Sequence, residues 1–300
     1  MTSVMQHSTL LNKLISEKSE FSEHIVNNSI DFSEGALAAL KIAFIQRKFY
    51  DLVEKYSTGE TPVILEIKDG FVQKIANKLA ENPNEALIVA IAGESACGKG
   101  YIQTAIIDAF NEHKHLINKN LKIANLKGDN FYHDLSAKIT AEYGNLDNLL
   151  ATDFGLLDRP EAVNLEELSR VLSLCTNCQE VKIPHYQFGT AKSIPDAITI
   201  EPSRLVLLDS IFALNEKLLD FVDIGVYIDA SSETIKQRWF QRAPERNIFG
   251  EMARQQFEAV KEEAQKHIIP TSKNAHIILN GESTYEAIYE FTTDIIKAIS

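Results

Sequence analysis

Gly93-Glu94-Ser95-Ala96-Cys97-Gly98-Lys99-Gly100 carries the G-x-x-x-x-G-K spacing of a phosphate-binding loop. It follows an apolar run, Ala86 to Ala92, and precedes a helix-like stretch that starts at Tyr101 and places Ile102, Ile106 and Phe110 at helical spacing. Strand, glycine turn and helix are the context the motif needs. Backbone N–H groups of such a turn converge on phosphate oxygens, and the helix N-terminus adds positive potential. Residues 93 to 101 are therefore the candidate nucleotide cradle, with Lys99 reaching the outer phosphates. The motif asks for Ser or Thr after the lysine, where a hydroxyl binds Mg²⁺; this chain has Gly100. The plainer alternative is a glycine turn between a core strand and a core helix, with Lys99 in solvent.

The unbroken apolar run Leu87 to Ala92 suits a parallel strand covered on both faces. From there the pattern alternates. Further strand candidates are Leu121 to Leu126, Leu205 to Leu208, Ile224 to Ile228 and Ala275 to Leu279, with helical segments between most of them. That alternation predicts an α/β fold, a mainly parallel five-stranded sheet with helices on both faces. Ser283 and Glu286 are placed to cap a last helix carrying Ile288, Phe291, Ile295 and Ile299.

Residues 1–84 read instead as a helical N-terminal extension, and 85–300 as the α/β domain. Leu11, Leu14, Phe21 and Ile25 form one stripe. Leu37, Leu40, Phe44, Ile45, Phe49, Leu52 and Tyr56 form a second, behind an Asp31–Glu34 capping box, and Phe71, Ile75 and Leu79 a third, ended near Pro83. These are packing faces, against the main domain or in a dimer contact.

A chain of 300 residues with 45% hydrophobic residues has ample core for one large domain or two small ones. Its net charge of −12 argues against nonspecific binding to nucleic acid or anionic membrane. There is no 18-residue apolar run, and Met1 to Leu11 lacks the basic-then-apolar pattern of a signal peptide. Three cysteines suggest no disulfide framework, so a cytoplasmic location is expected; the lone Cys175–Cys178 pair is read as incidental.

Three further constellations bear on chemistry. Arg204 to Leu208 is an apolar strand ending in Asp209, where a second carboxylate beside a phosphate loop holds Mg²⁺; capping the next turn is the alternative. Gly128-Asp129-Asn130-Phe131-Tyr132 follows the second strand, at the carboxyl ends of the strands where open α/β folds bind ligands. Asp129 there could deprotonate an attacking hydroxyl, or simply form an Asx turn. Lys236, Arg238, Arg242 and Arg246 cluster after the fourth strand, as a mobile lid over phosphates or as a solvated basic face.

Taken in order, these elements resemble the uridine kinase and phosphoribulokinase family of P-loop kinases, over about residues 86 to 281. Asp129-Asn130-Phe131-Tyr132 matches the family's Asp-x-Phe-Tyr. Asp158-Arg159-Pro160-Glu161-Ala162 is similar to Asp-His-Pro-(Asp/Glu)-Ala, and Pro184-His185-Tyr186-Gln187-Phe188 to Pro-x-Tyr-Asp-Phe. Asp209-Ser210-Ile211 resembles Glu-Gly-Ile, and Pro270 to His276 resembles the closing Pro-(Ser/Thr)-x-Lys-x-Ala-Asp. The resemblance implies a three-layer α/β/α P-loop kinase domain that moves the γ-phosphoryl group of ATP, with Mg²⁺, to a hydroxyl of a small molecule. Lys99 would be the phosphate clamp, Asp129 the base and a metal contact with Asp209, and Arg238 and Arg242 the lid cations. Asp158 would hold a substrate hydroxyl, with Tyr132 and Tyr186 lining the acceptor pocket. Family members are often oligomeric, which makes a homo-oligomer a candidate assembly.

The departures shape the expected acceptor. In uridine kinases a His and an Arg follow the Tyr-Asp-Phe element; here those positions are Ala191 and Ser193, and the Asp is Gln187. The pyrimidine pocket thus reads as rebuilt, with Lys192 or His185 available to an anionic acceptor such as a sugar phosphate. Loss of transfer is the rival reading: a degenerate nucleotide-binding protein with a regulatory or scaffolding role, motivated by Gly100.

Overall fold

The structure, a computed structural model, describes residues 47–68, 85–118, 120–246 and 248–299. The stripes at Leu11 to Ile25, Leu37 to Ile45 and Phe71 to Leu79, and the Asp31–Glu34 box, lie outside the described residues.

Strand β2 (Leu87–Gly93) is central because both of its faces are apolar. Ile88, Ala90 and Ala92 pack into one core, while Val89 and Ile91 meet the other. It pairs in parallel with β6 (Leu205–Asp209) on one side and β7 (Ile224–Asp229) on the other. Strand β3 (Ile123–Lys127) extends the sheet beyond β6, and β8 (Ile277–Asn280) beyond β7, both in parallel. All five expected strands are present, with ends shifted by at most two residues.

The sheet has six strands rather than five, in the order β1-β8-β7-β2-β6-β3. The sixth, β1 (Ile64–Ile67), lies inside the segment read as a helical extension and runs antiparallel to β8, with Ile64 opposite Leu279. Four residues carry too little periodicity to announce a strand. Here β1 covers the outer edge of β8, whose backbone groups would otherwise stand unpaired.

Helix α1 (47–56), α2 (Lys99–His113), α3 (Leu146–Thr152), α4 (Leu165–Thr176), α5 (Ser232–Arg242), α6 (Gly250–His267) and α7 (Tyr285–Ile299) complete the layers. Leu165, Leu168, Val171 and Leu172 of α4 fill the core on one sheet face. Ile102 and Ala105 of α2, Trp239 of α5 and Ile288 of α7 fill the other. Tyr56 of α1 rests edge-on against Phe291 of α7, ring centroids 5.0 Å apart, and its hydroxyl donates to Asp294 at 2.8 Å. Thr284, one residue later than expected, caps α7: its Oγ1 accepts from the Ala287 N–H, whereas the buried Ser283 hydroxyl has no hydrogen-bond partner among the described residues. Among the described residues no helix is long and apolar enough to cross a membrane.

A separate antiparallel hairpin, β4 (Val181–Gln187) with β5 (Lys192–Ile200), lies beside the carboxyl ends of β3 and β6 and supplies the Pro184 to Phe188 element. Leu208 sits at the middle of the sheet, fully buried, with Ala90 and Leu126 as its strand partners. Leu208→Ala is expected to lower the free energy of unfolding in urea by about 2–5 kcal/mol.

Candidate active site

Between β2 and α2 the chain turns through two glycines at positive φ, Gly93 at 147° and Gly98 at 116°. Gly93 also has no room for a side chain, since a Cβ would meet the Ile228 carbonyl at 2.6 Å. Helix α2 begins with no side-chain cap and no acidic residue in its first turn. Its N-terminal N–H groups are thus left to an anion.

Cations hold the carbonyls of the turn. Lys99 Nζ donates to the Gly93 and Glu94 carbonyls at 2.9 and 2.8 Å. Arg238 Nη1 donates to the Cys97 carbonyl at 3.0 Å and to that of Gly281, beyond β8, at 2.9 Å. Arg238 therefore braces the loop against the end of the sheet. Arg242, one helical turn later and exposed, lines a recess with Ser95 and Ala96. The side chain of Arg246 lies outside the described residues. A larger cavity of about 240 Å³ is walled by Glu94 and Ser95 of the loop, Lys236 and Trp239 of α5, and Phe257 and Lys261 of α6. Burial, then the charge of Asp229, pushes the Glu94 carboxyl above its ordinary range, while Lys99 and Lys261 pull it back.

Gly100 is exposed, its φ is ordinary, and an added Cβ would meet nothing within 4 Å. Neither space nor backbone demands glycine there. Asp209 ends β6 between Ile91 of β2 and Lys127 of β3. Burial raises its pKa, and the charges of Lys99 and Lys127 oppose that rise. Among the described residues no group of three or more His, Cys, Asp or Glu is arranged to hold a metal by itself. A Mg²⁺ ion keeps waters and phosphate oxygens and needs only one or two carboxylates, so Asp209 beside the loop is a fitting donor.

Asp129 is exposed in the turn Gly128–Phe131 that follows β3, two residues beyond the strand partner of Asp209. The residues expected to line an acceptor pocket follow it on the same turn and on the hairpin. The Tyr132 and Tyr186 rings are 5.3 Å apart, and Phe188 packs edge-on to both at 5.6 and 5.0 Å. Tyr132 donates its hydroxyl to the Leu157 carbonyl at 2.9 Å, which brings the neighbouring Asp158 to this side. The Tyr186 hydroxyl is buried with no hydrogen-bond partner among the described residues, and burial, with the charge of Asp134, pushes its pKa to about 12. His185 and Lys192 are exposed on the hairpin; the Lys192 charge acts on Asp134.

Sequence reasoning passed over Asn130, Phe188 and Lys261. The Asn130 side chain accepts from the Tyr186 N–H at 3.3 Å and lies 3.4 Å from His185 Nδ1, tying the turn after β3 to the hairpin. Both Asn130 and Phe188 stand inside quoted motifs, so their position was visible though their contacts were not. Lys261 lies on a helix with no motif.

Residues 88–287 match the family model described as Phosphoribulokinase / Uridine kinase family. A uridine kinase of Staphylococcus epidermidis is 28% identical over 221 residues, covering 72% of this chain and 99% of that protein. A protein described as a probable uridine-cytidine kinase of Caenorhabditis elegans is 27% identical over 203 residues, covering 64% of this chain and 76% of its own length. The solved structure of a possible uridine kinase from Bacillus stearothermophilus aligns with 15% identity and a TM-score of 0.42, over 70% of this chain and 97% of that one.

Two outcomes follow from this geometry. Arg238→Met removes the two charged hydrogen bonds that tie the loop carbonyl of Cys97 to that of Gly281, each worth about 1.5–3 kcal/mol, and should weaken ATP binding at least roughly tenfold by calorimetry. Because the folded pKa of Asp209 is raised, its ionisation opposes folding. That penalty is absent below the ordinary aspartate value of about 3.9 and complete above the folded one. Asp209→Asn should therefore raise Tm, with a gain that grows as pH climbs through this window and then levels off. Thermal unfolding across the window checks it.

Proposed function

The chain belongs to the phosphoribulokinase and uridine kinase family, and from that premise we propose that it is a cytoplasmic ATP-dependent kinase. It transfers the γ-phosphoryl group to a hydroxyl of a small molecule: a nucleoside, a sugar or a sugar phosphate. The observation that carries this reading is the juxtaposition, at the carboxyl ends of adjacent strands, of the phosphate loop, Asp209 and Asp129.

In this account the N–H groups of Gly93 to Tyr101 surround the phosphates, and Lys99 Nζ exchanges loop carbonyls for phosphate oxygens. Mg²⁺ held by Asp209, with Asp129 as a further contact, would supply charge neutralisation between the phosphates. Asp129 orients the acceptor hydroxyl and takes its proton as the new O–P bond forms and ADP departs. Arg242 and the braced Arg238 add positive charge from α5. Phe188, exposed on the hairpin, offers a ring face to the acceptor above the buried Tyr132 and Tyr186, with Asp158, His185 and Lys192 as polar contacts around it. The buried Tyr186 hydroxyl, unpartnered at a cost of about 1–3 kcal/mol, favours an acceptor that hydrogen-bonds to it.

A second reading, nucleotide binding without transfer, rests on Gly100, where the expected hydroxyl is missing. The test is phosphorylation of a panel of nucleosides, sugars and sugar phosphates with MgATP. The kinase reading expects at least one acceptor to react, and Asp129→Asn to lower turnover about 10²–10⁴-fold while ATP binding persists. No product from any acceptor would favour the second reading.

A further inference from the structure

Helix α6 faces two sites at once. Phe257, Val260 and Lys261 wall the cavity beside the phosphate loop. Glu263, two residues beyond Lys261 and so about 200° around the helix, points elsewhere. Its carboxylate, only 8% exposed, accepts from Arg159 Nη2 at 3.0 Å. Arg159 in turn grips Asp153 with both terminal nitrogens, at 2.6 and 2.9 Å. Lys266 at 3.7 Å and His267 at 3.3 Å also face Glu263, but both belong to α6. Arg159 is the cation that crosses to the acceptor-side segment, where it follows Asp158 directly.

The contact is close as well as charged. Gly155 lies against the Glu263 side chain, and a Cβ there would meet Glu263 Cγ at 2.7 Å. Its φ of −90° is one any residue adopts, so space alone calls for glycine. The same segment is fastened to the aromatic pocket through the Tyr132 hydroxyl and the Leu157 carbonyl. Burial pushes the Glu263 carboxyl up, yet the Arg159 hydrogen bond and the surrounding cations leave it below its ordinary range. A buried ion pair is a poor way to gain stability compared with apolar packing, but a forked guanidinium contact fixes geometry.

We propose that Arg159 and Glu263 form a latch by which nucleotide binding beneath α5 and α6 orders segment 153–162 and so positions Asp158 for the acceptor. Both are positioning residues. The inference rests on the kinase reading for what each site holds, while the mechanical link is separate from it.

Hydrogen exchange on the full chain tests the latch, with and without a non-hydrolysable MgATP analogue, in the native protein and in Glu263→Gln, Arg159→Met and Gly155→Ala. In the native chain the analogue should slow exchange at both 93–101 and 153–162. In each variant protection at 93–101 should remain, and that at 153–162 should fall about tenfold. Gly155→Ala leaves every charge in place and keeps the test decisive if removing a buried charge unfolds the chain. Native-like protection of 153–162 in the variants would overturn the latch. So would protection of 93–101 alone in the native chain. If the analogue protects neither stretch, the nucleotide reading fails instead, and ligand-free exchange decides the link. Faster exchange at 263–267 in Arg159→Met and at 153–162 in Glu263→Gln would support it; unchanged rates would overturn it.

Discussion

A loop that aims its N–H groups inward must turn its carbonyls outward, and those carbonyls need partners. Here two cations supply them. Lys99 takes the carbonyls of Gly93 and Glu94, and Arg238 joins that of Cys97 to Gly281 across the end of β8. An unsatisfied backbone acceptor in a half-buried turn is costly. The pairing therefore explains why the loop keeps its shape, and why an arginine expected to ride on a lid is anchored in the framework. It also links the first strand of the motif to α5 and to the last strand, so the loop depends on the whole sheet being assembled.

At the proposed metal position the chain carries Gly100 where the loop motif asks for Ser or Thr. Gly100 removes a hydroxyl although its surroundings would admit one. The remaining donor beside the loop, Asp209, is held partly desolvated, with Lys99 and Lys127 nearby. The proposed acceptor side is built differently, from three aromatic rings and a buried hydroxyl without a partner among the described residues. Helix α6 walls the cavity beside Glu94 and Ser95 and, through Glu263, holds Arg159 of the segment that Tyr132 reaches at Leu157.

The parts legible in the sequence were those with local causes. The strands β2, β6, β7 and β8 are short, mostly apolar runs, β3 adds buried Ala124 and Leu126 between exposed polar residues, and the loop is a contiguous motif. Asp129 and Asp209 could be placed because strand ends are easy to find in an α/β pattern. Elements defined by distant partners stayed hidden. β1 is a strand only because β8 offers it an edge. The hairpin alternates buried Val181, Ile183 and Tyr186 with exposed Lys182, His185 and Gln187, and turns through Ala191 at φ 50° with no Asn-Gly signal. Arg159 and Glu263 are 104 residues apart, and nothing in either neighbourhood announces the other. The shift of the α7 cap from Ser283 to Thr284 has a simpler cause: two hydroxyl residues stand side by side, and chain direction decides between them.

The central claim is that this loop still binds nucleotide as a working kinase loop does, despite Gly100. ATP titration by calorimetry, with and without Mg²⁺, on the native chain and on Lys99→Ala, addresses it most directly. Binding should tighten with Mg²⁺ and be lost in Lys99→Ala. Binding indifferent to Mg²⁺, or unchanged by removal of the Lys99 ammonium, would contradict it.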